Sequence, residues 1–162
     1  MGSKVLIINT GGTLSSVARQ HGLAPGLTTD SMLKELHIVA GEAELSTLEF
    51  SSLDSANIFP EDWAELARLI SENRKQADGI VVIHGTDTLA YTSSMLSFML
   101  QNIQIPVVIT GSQLSISNPV ARKYSMLAFR MLSSSSVRVR IMGGEIYWVC
   151  TVCSRNSFTN RS

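Results

Sequence analysis

Three short segments of the sequence concentrate hydroxyl groups and glycines, and each of them follows a run of apolar residues. They are Thr10–Ser16 (TGGTLSS), His84–Thr88 (HGTDT) and Thr110–Asn118 (TGSQLSISN). A threonine hydroxyl is a weak nucleophile at neutral pH until a neighbouring group takes its proton. A hydrophobic core needs none of this chemistry, so the three segments are the candidates for a reaction site.

Thr13 is the candidate nucleophile of the first segment. It follows Gly11 and Gly12, whose backbone freedom permits unusual angles and the close approach of a substrate. Backbone N–H groups exposed beside Thr13 are suited to binding an oxyanion. The same residues are also compatible with a plain turn, and at this point that alternative stays open.

Thr86 and Asp87 place a hydroxyl and a carboxylate side by side in the second segment. Asp87 is suited either to capping the following helix or to binding the ammonium group of an amino acid through a charge-assisted hydrogen bond. Thr86 is suited to polarising a water molecule or orienting a leaving amide. We expect His84, one position after the strand, to pack at the strand end rather than to act as a base.

Apolar runs and helical periodicities alternate along the chain and predict the elements that position these segments. Strands are predicted over Lys4–Asn9, Leu45–Phe50, Gly79–Ile83, Pro106–Ile109, Val137–Met142 and Ile146–Val152. Helices are predicted over Ser31–His37, from Pro60 to about Gln76, over Leu89–Leu100 and from Pro119 to about Leu132. Gly143 and Gly144 are predicted to separate the last two strands.

This alternation predicts an α/β domain of three layers, in which a mostly parallel sheet carries helices on both faces. In such open sheets, ligands bind beyond the carboxyl ends of the strands. All three hydroxyl-rich segments fall at such ends, so we expect them to meet.

The bulk composition excludes several classes of protein. The 162 residues include 13 basic and 13 acidic side chains, so there is no electrostatic reason to expect nucleic acid or an anionic membrane as a partner. No apolar run is long enough to span a bilayer and no signal peptide is recognised, so a cytoplasmic location is expected. Cys150 and Cys153 stand in a strand-like run without a second Cys or His pair, so neither redox chemistry nor a zinc site is expected.

Together the motifs resemble those of the asparaginase family, in its bacterial-type, cytoplasmic branch. The matching segments are Thr10–Thr13, Leu53–Ser55 ahead of Pro60–Trp63, His84–Thr88, and Ile109–Gln113 with Asn118–Pro119, in the family's order and spacing. The resemblance covers nearly the whole chain. It implies that residues 1–162 form the flavodoxin- or Rossmann-like N-terminal α/β domain of that family, and that the smaller C-terminal domain is absent.

The resemblance implies a threonine amidohydrolase that converts L-asparagine into L-aspartate and ammonia. Thr13 matches the nucleophile that forms the acyl-enzyme. Thr86 and Asp87 match the second catalytic threonine and the aspartate beside it, which also contact the substrate. No metal or organic cofactor is implied, and a homodimer or homotetramer is expected.

A further segment is implied to bind the substrate. Asp54 and Ser55 match the residues that hold the amino and carboxylate groups of the amino acid. Ala56 stands where cytoplasmic-type relatives often have a second serine, which leaves only a backbone contact at that position.

Several departures from the family's pattern bear on catalysis. Leu23 stands where the family has a tyrosine on the loop that covers the site. Cys153 or Ser154 occupies the place of the family's lysine, and the nearby Arg155 is a poor proton acceptor because its guanidinium stays protonated. Arg122 replaces the usual aspartate after the third segment, and the chain stops where the family's second domain begins.

These departures keep two alternatives to a working asparaginase open. One is a catalytically impaired module that binds an amino acid or another protein. The other is the amidase component of a tRNA-dependent amidotransferase, which we expect less because the chain begins at the first strand and has no basic patch.

Overall fold

The computed structural model describes residues 3–19, 22–25, 31–35, 43–50, 57–119, 121, 142–144 and 147–153. The strands are β1 (Lys4–Asn9), β2 (Ser16–Arg19), β3 (Gly22–Pro25), β4 (Glu44–Glu49), β5 (Gly79–Ile83), β6 (Val107–Ser112), β7 (Met142–Gly144) and β8 (Tyr147–Cys153). The helices are α1 (31–35), α2 (Pro60–Asn73) and α3 (Leu89–Met99), and a 3-10 turn covers Thr13–Ser15.

Six of these strands form one sheet in the order β4-β1-β5-β6-β8-β7. The strands β4, β1, β5 and β6 run parallel to one another, whereas β8 is antiparallel to both β6 and β7. The strands β2 and β3 form a separate antiparallel hairpin directly after the 3-10 turn. The predicted mostly parallel sheet is confirmed.

Successive residues of β1 point into two different hydrophobic clusters. Val5 and Ile7 pack on one face together with Met32 of α1. Leu6 and Ile8 pack on the other face, where the buried residues of α2 and α3 lie. The sheet is therefore covered on both faces, which confirms the three-layer prediction and explains why β1 and β5 read as continuous apolar runs.

The two long helices begin where the sequence predicts and end slightly earlier. Helix α2 starts at Pro60, and the Asp62 carboxylate accepts a hydrogen bond from the N–H of Phe59 at 2.8 Å. The indole Nε1 of Trp63 donates to the hydroxyl of Thr92 at 2.9 Å and so links α2 to α3. No helix in the described ranges is long and apolar enough to cross a membrane.

Two segments predicted as breaks are strand instead. The sequence predicts a polar loop that begins at Thr110, but Thr110–Ser112 extend β6 because β8 pairs with them in antiparallel register. Gly143 and Gly144 belong to β7 and pair with Trp148 and Tyr147. The predicted strand over Val137–Met142 and the predicted helix after Pro119 fall mostly outside the described residues.

Candidate active site

The three hydroxyl-rich segments leave the sheet at the same edge. In the parallel register, Asn9 of β1 lies beside Ile83 of β5, and Ile83 lies beside Thr110 of β6. Because parallel strands place their carboxyl ends together, the chain segments that follow are neighbours.

The first and second segments touch through their glycines. A Cβ atom built on Gly12 would lie 2.7 Å from both Cα and N of Gly85, so the two backbones are in direct contact. Thr13 follows the first of these glycines and Thr86 follows the second. The two hydroxyl-bearing turns therefore adjoin, although they are distant in sequence.

Gly111 joins the third segment to the same contact. A Cβ atom on Gly111 would lie 2.5 Å from the carbonyl oxygen of His84 and 3.4 Å from Cγ2 of Thr86. Further along, the N–H of Ile116 donates to the carbonyl of Leu14 at 3.0 Å. The three segments thus form one contiguous unit at the sheet edge.

Thr10 is an anchor rather than a reactive group. Its hydroxyl and its backbone N–H both donate to the carbonyl of Ile83, each at 2.9 Å, and its side chain is buried. These bonds fix the end of β1 against β5. Of the two threonines in this motif, Thr13 is the one that is only half-buried.

The backbone of Gly11 and Gly12 has an unusual conformation that only glycine adopts easily. Their φ angles are 96° and 87°, within the left-handed region. The carbonyl of Gly12 accepts hydrogen bonds from the Ser15 N–H and from the hydroxyls of Ser15 and Ser16. This set of bonds holds the short 3-10 turn that begins at Thr13.

Thr86 and Asp87 lie in the turn between β5 and α3. Thr88, not Asp87, is the N-cap residue of α3, so the capping interpretation of Asp87 is wrong. Within the described part of the chain, the side chains of Thr13, Thr86 and Asp87 make no hydrogen bond or ion pair. Thr13 and Thr86 are half-buried and Asp87 is exposed, so all three have donors or acceptors available to a ligand.

His84 is buried completely beneath this turn. Its Nδ1–H donates to the carbonyl of Gly85 at 2.7 Å, and its backbone N–H donates to the carbonyl of Thr110 at 2.8 Å. Burial lowers the pKa of the imidazole, outweighing the opposite effect of the bond to Gly85. Among the described residues, the buried Nε2 of this ring has no hydrogen-bond partner. His84 is therefore a packed residue at the end of β5, as expected from the sequence.

Most of the other predicted site residues lie outside the part of the chain that the structure describes. Asp54, Ser55 and Ala56 lie outside the described residues, as do Ser154, Arg155 and Arg122. The strand that leads into the first group ends at this edge, since Glu49 of β4 pairs with Asn9 of β1. Leu23 lies in β3 of the hairpin, opposite Ala18.

Sequence reasoning overlooked Asn9. Its side-chain oxygen accepts a hydrogen bond from the N–H of Gly11 at 3.1 Å, inside the turn that leads to Thr13. An asparagine between an apolar strand and a glycine pair is a signal for such a turn, because its side chain readily bonds the backbone two residues later.

The described ranges contain no group of three His, Cys, Asp or Glu side chains placed to hold a metal ion. The fold and the site together define an α/β domain whose parallel strands end in adjoining, hydroxyl-bearing turns. The family model for the N-terminal part of asparaginase matches residues 4–137, and the chain belongs to the asparaginase family.

Known relatives agree with this assignment. The chain is 46% identical over 117 residues to an L-asparaginase of Thermococcus kodakarensis, an alignment that covers 72% of this chain and 36% of that protein. The structure of the thermostable L-asparaginase from Thermococcus kodakarensis superposes with a TM-score of 0.68 at 42% identity, over 80% of this chain and 40% of the other.

A second kind of relative is one of the subunits of the glutamyl-tRNA(Gln) amidotransferase of Methanothermobacter thermautotrophicus. It is 42% identical over 118 residues, which cover 71% of this chain and 27% of that protein. The chain spans about a third of the length of the curated relatives it matches.

Proposed function

We propose that this chain carries the nucleophile of an L-asparaginase, which hydrolyses L-asparagine to L-aspartate and ammonia. The observation that supports the proposal most directly is the contact between the Gly12 and Gly85 backbones. This contact places the turn of Thr13 beside the turn of Thr86 and Asp87. In the proposal, one small substrate contacts all three side chains.

In the proposed reaction, the Thr13 oxygen bonds to the carbon of the substrate's side-chain amide. The proton released by the Thr13 hydroxyl is transferred to the nitrogen, and the C–N bond breaks. Ammonia departs, and an ester remains on Thr13. A water molecule attacks this ester, releases L-aspartate and restores the hydroxyl. Backbone N–H groups of the glycine turn stabilise the oxyanion that forms in each half of the reaction.

The other residues have binding and orienting roles in this proposal. Thr86 orients the water or the leaving amide, and Asp87 binds the ammonium group of the substrate by a charge-assisted hydrogen bond. Asp54 and Ser55 are proposed to hold the amino and carboxylate groups, with a backbone contact from Ala56. This role is supported by the end of β4, because Glu49 pairs with Asn9 and lies five positions before Asp54 in the sequence.

The departures from the family pattern predict a slow enzyme. Leucine at position 23 cannot transfer a proton, and no lysine stands at the place the resemblance predicts for the activating amine. Removing one member of a catalytic unit commonly costs orders of magnitude in rate. We therefore expect turnover far below that of a family member that has this tyrosine and this lysine.

The test is ammonia release from L-asparagine by the full chain and by Thr13→Ala. Thr13→Ala is expected to abolish release, and mass spectrometry of the unaltered chain is expected to show an aspartyl ester on Thr13. Ser94→Ala is the matched control, since it removes an exposed hydroxyl on α3 whose bond is to its own helix. Equal ammonia release from the Thr13→Ala variant and the unaltered chain would refute the proposal.

A second candidate is an amino-acid-binding module without turnover. Asp87 favours it, because this exposed carboxylate has no partner among the described residues and can bind an ammonium group whether or not the activating lysine is present. Calorimetry with L-aspartate should then show binding that Asp87→Asn weakens by about tenfold or more. Binding without ammonia release would select this candidate over the enzyme.

The relationship to the amidotransferase supplies a third candidate, in which the ammonia serves a tRNA-bound substrate. The balanced charge of the chain argues against it, because phosphate contacts supply most of the affinity for nucleic acid. We also expect a cytoplasmic location and a homodimer or homotetramer, and light scattering after size exclusion would test the oligomeric state.

A further inference from the structure

Asn9 uses both polar atoms of its side chain and is almost completely buried. Its Oδ1 accepts from the N–H of Gly11 at 3.1 Å, and its Nδ2 donates to Oε1 of Glu49 at 3.2 Å. Its backbone carbonyl accepts from the N–H of Phe50 at 2.9 Å. Only 5% of Asn9 is exposed, and its bond to Gly11 is buried. The bond to Glu49 is partly buried, because Glu49 itself is exposed.

The bond to Gly11 acts on a pair of glycines, which have high backbone freedom. Two consecutive glycines can adopt many conformations, and a turn of this composition has no intrinsic reason to hold a positive φ at both positions. The acceptor on Asn9 selects one of these conformations, because it fixes the Gly11 N–H within two residues of Thr13. The position of Thr13 relative to the end of β1 depends on the conformation of these two glycines.

The bond to Glu49 acts on a different strand. Glu49 is the last residue of β4, and five positions later the chain reaches Asp54, the predicted binding residue for the substrate. A carboxamide can accept from a backbone N–H and donate to a carboxylate at the same time, which neither an aspartate nor an alanine can do.

We propose that Asn9 is a positioning residue that couples the turn leading to Thr13 to the end of β4, and so fixes the backbone that presents the Thr13 hydroxyl. This inference rests on the proposed function, in which that hydroxyl must meet the amide carbon of the substrate in one orientation. Asn9 itself touches neither substrate nor reacting atoms; it acts through Gly11 and Glu49.

Three variants separate the two bonds. Asn9→Ala removes both of them. Asn9→Asp keeps an acceptor for Gly11 but places a carboxylate against that of Glu49, which breaks the side-chain hydrogen bond to Glu49. Asn9→Asp combined with Glu49→Gln restores the side-chain hydrogen bond between positions 9 and 49. Its donor and acceptor are exchanged, because the glutamine amide donates to the new aspartate.

Amide hydrogen exchange at Gly11 reports whether the hydrogen bond from Gly11 to Asn9 is present, and this measurement does not require activity. Asn9→Ala is expected to raise the exchange rate at Gly11 about fivefold to tenfold, the effect of one lost hydrogen bond. Asn9→Asp is expected to raise it less, and the double variant is expected to return to the rate of the unaltered chain. Asn73→Ala is the matched control, because the Asn73 amide donates to Leu69 in α2, away from the site.

Ammonia release shows whether the geometry matters for the reaction. Asn9→Ala and Asn9→Asp are expected to lower kcat by about tenfold to a hundredfold, because a small misplacement of a reacting group has effects of this size. Thermal melts of each variant show that it is folded, and the double variant is expected to recover most of the lost kcat. A purely structural Asn9 would change the melting temperature without this rescue.

The outcomes separate failure of the inference from failure of the proposed function. If the unaltered chain releases no more ammonia than Thr13→Ala, the proposed function fails, and exchange at Gly11 alone decides whether Asn9 holds the turn. If Asn9→Ala leaves both Gly11 exchange and kcat unchanged, or if the double variant shows no recovery, the inference is overturned.

Discussion

At the scale of single residues, the site depends on positions where a side chain is absent or buried rather than on the reactive groups alone. Gly12 lies against Gly85 with no room for a Cβ atom, and its φ of 87° disfavours other residues. His84 is completely buried, and its backbone carbonyl carbon would lie 3.1 Å from a Cβ atom on Gly12. These residues decide whether Thr13 and Thr86 adjoin.

Gly12→Ala is expected to destabilise the domain. The added methyl group would meet backbone atoms at 2.7 Å, which cannot move aside as a flexible side chain can. Overpacking and an unfavourable φ together should lower the free energy of unfolding by about 2 to 4 kcal/mol. Urea denaturation measures this loss, and an unchanged midpoint would show that the two turns are not in tight contact.

His84 makes the stability of the domain depend on pH. Burial lowers the pKa of the folded imidazole below its ordinary value of about 6.5, so the unfolded chain binds a proton first as the pH falls. The contribution of His84 is therefore complete above about pH 6.5 and is lost below it, by at most about 1.4 kcal/mol per pH unit.

The measurement compares urea midpoints at about pH 7.5 and about pH 5.5, on either side of the ordinary histidine pKa. His84→Asn keeps a donor for the carbonyl of Gly85 but cannot titrate, so its midpoint should fall less at the lower pH. His21 and His37 are replaced in both proteins so that position 84 alone differs. Equal pH dependence would mean that a buried neutral His84 does not govern it.

At the scale of elements, helices α2 and α3 are held together on one face of the sheet by packing and by one specific hydrogen bond. The Trp63 indole donates to Thr92, whose side chain is completely buried. Because α3 begins immediately after Thr88, this bond also restrains the helix that follows the turn of Thr86 and Asp87.

Trp63→Phe keeps an aromatic ring but removes the donor to Thr92. The expected loss of stability is about 1 to 2 kcal/mol, since a hydroxyl is left without this partner in the interior. A double-mutant cycle with Thr92→Val isolates the bond, and the two changes should be non-additive by about 1 kcal/mol. Strict additivity would indicate that packing alone joins the two helices.

At the scale of the whole molecule, the sheet separates two hydrophobic clusters, and consecutive residues of one strand belong to different clusters. Ile7 packs with Met32 on one face, and Ile8 packs with Ile70 on the other. Neither isoleucine side chain has any exposed surface. The burial of these two adjacent residues on opposite faces therefore reflects the three-layer architecture.

Ile7→Ala and Ile8→Ala should both be costly, each by about 2 to 5 kcal/mol in the free energy of unfolding. A sheet with one solvent-facing side would tolerate one of the two changes. Glu44→Ala, at the exposed start of β4, is the control and should change stability by less than about 0.5 kcal/mol. A small effect at either isoleucine would contradict the three-layer arrangement.

The sequence by itself determined the order and approximate bounds of β1, β5, α2 and α3, because apolar periodicity records which face of each element is buried. It also pointed to Thr13, Thr86 and Asp87 through motifs that resemble those of the family. Only the tertiary structure decided that Gly12 meets Gly85, that Asp87 does not cap α3, and that Thr110–Ser112 are strand. These features depend on which strands, distant in sequence, become neighbours in the sheet. The local periodicity of a strand carries no information about the strand with which it pairs. The bond from Asn9 to Glu49 spans 40 positions and exists because β4 pairs with β1, a choice that the packing of the whole sheet makes.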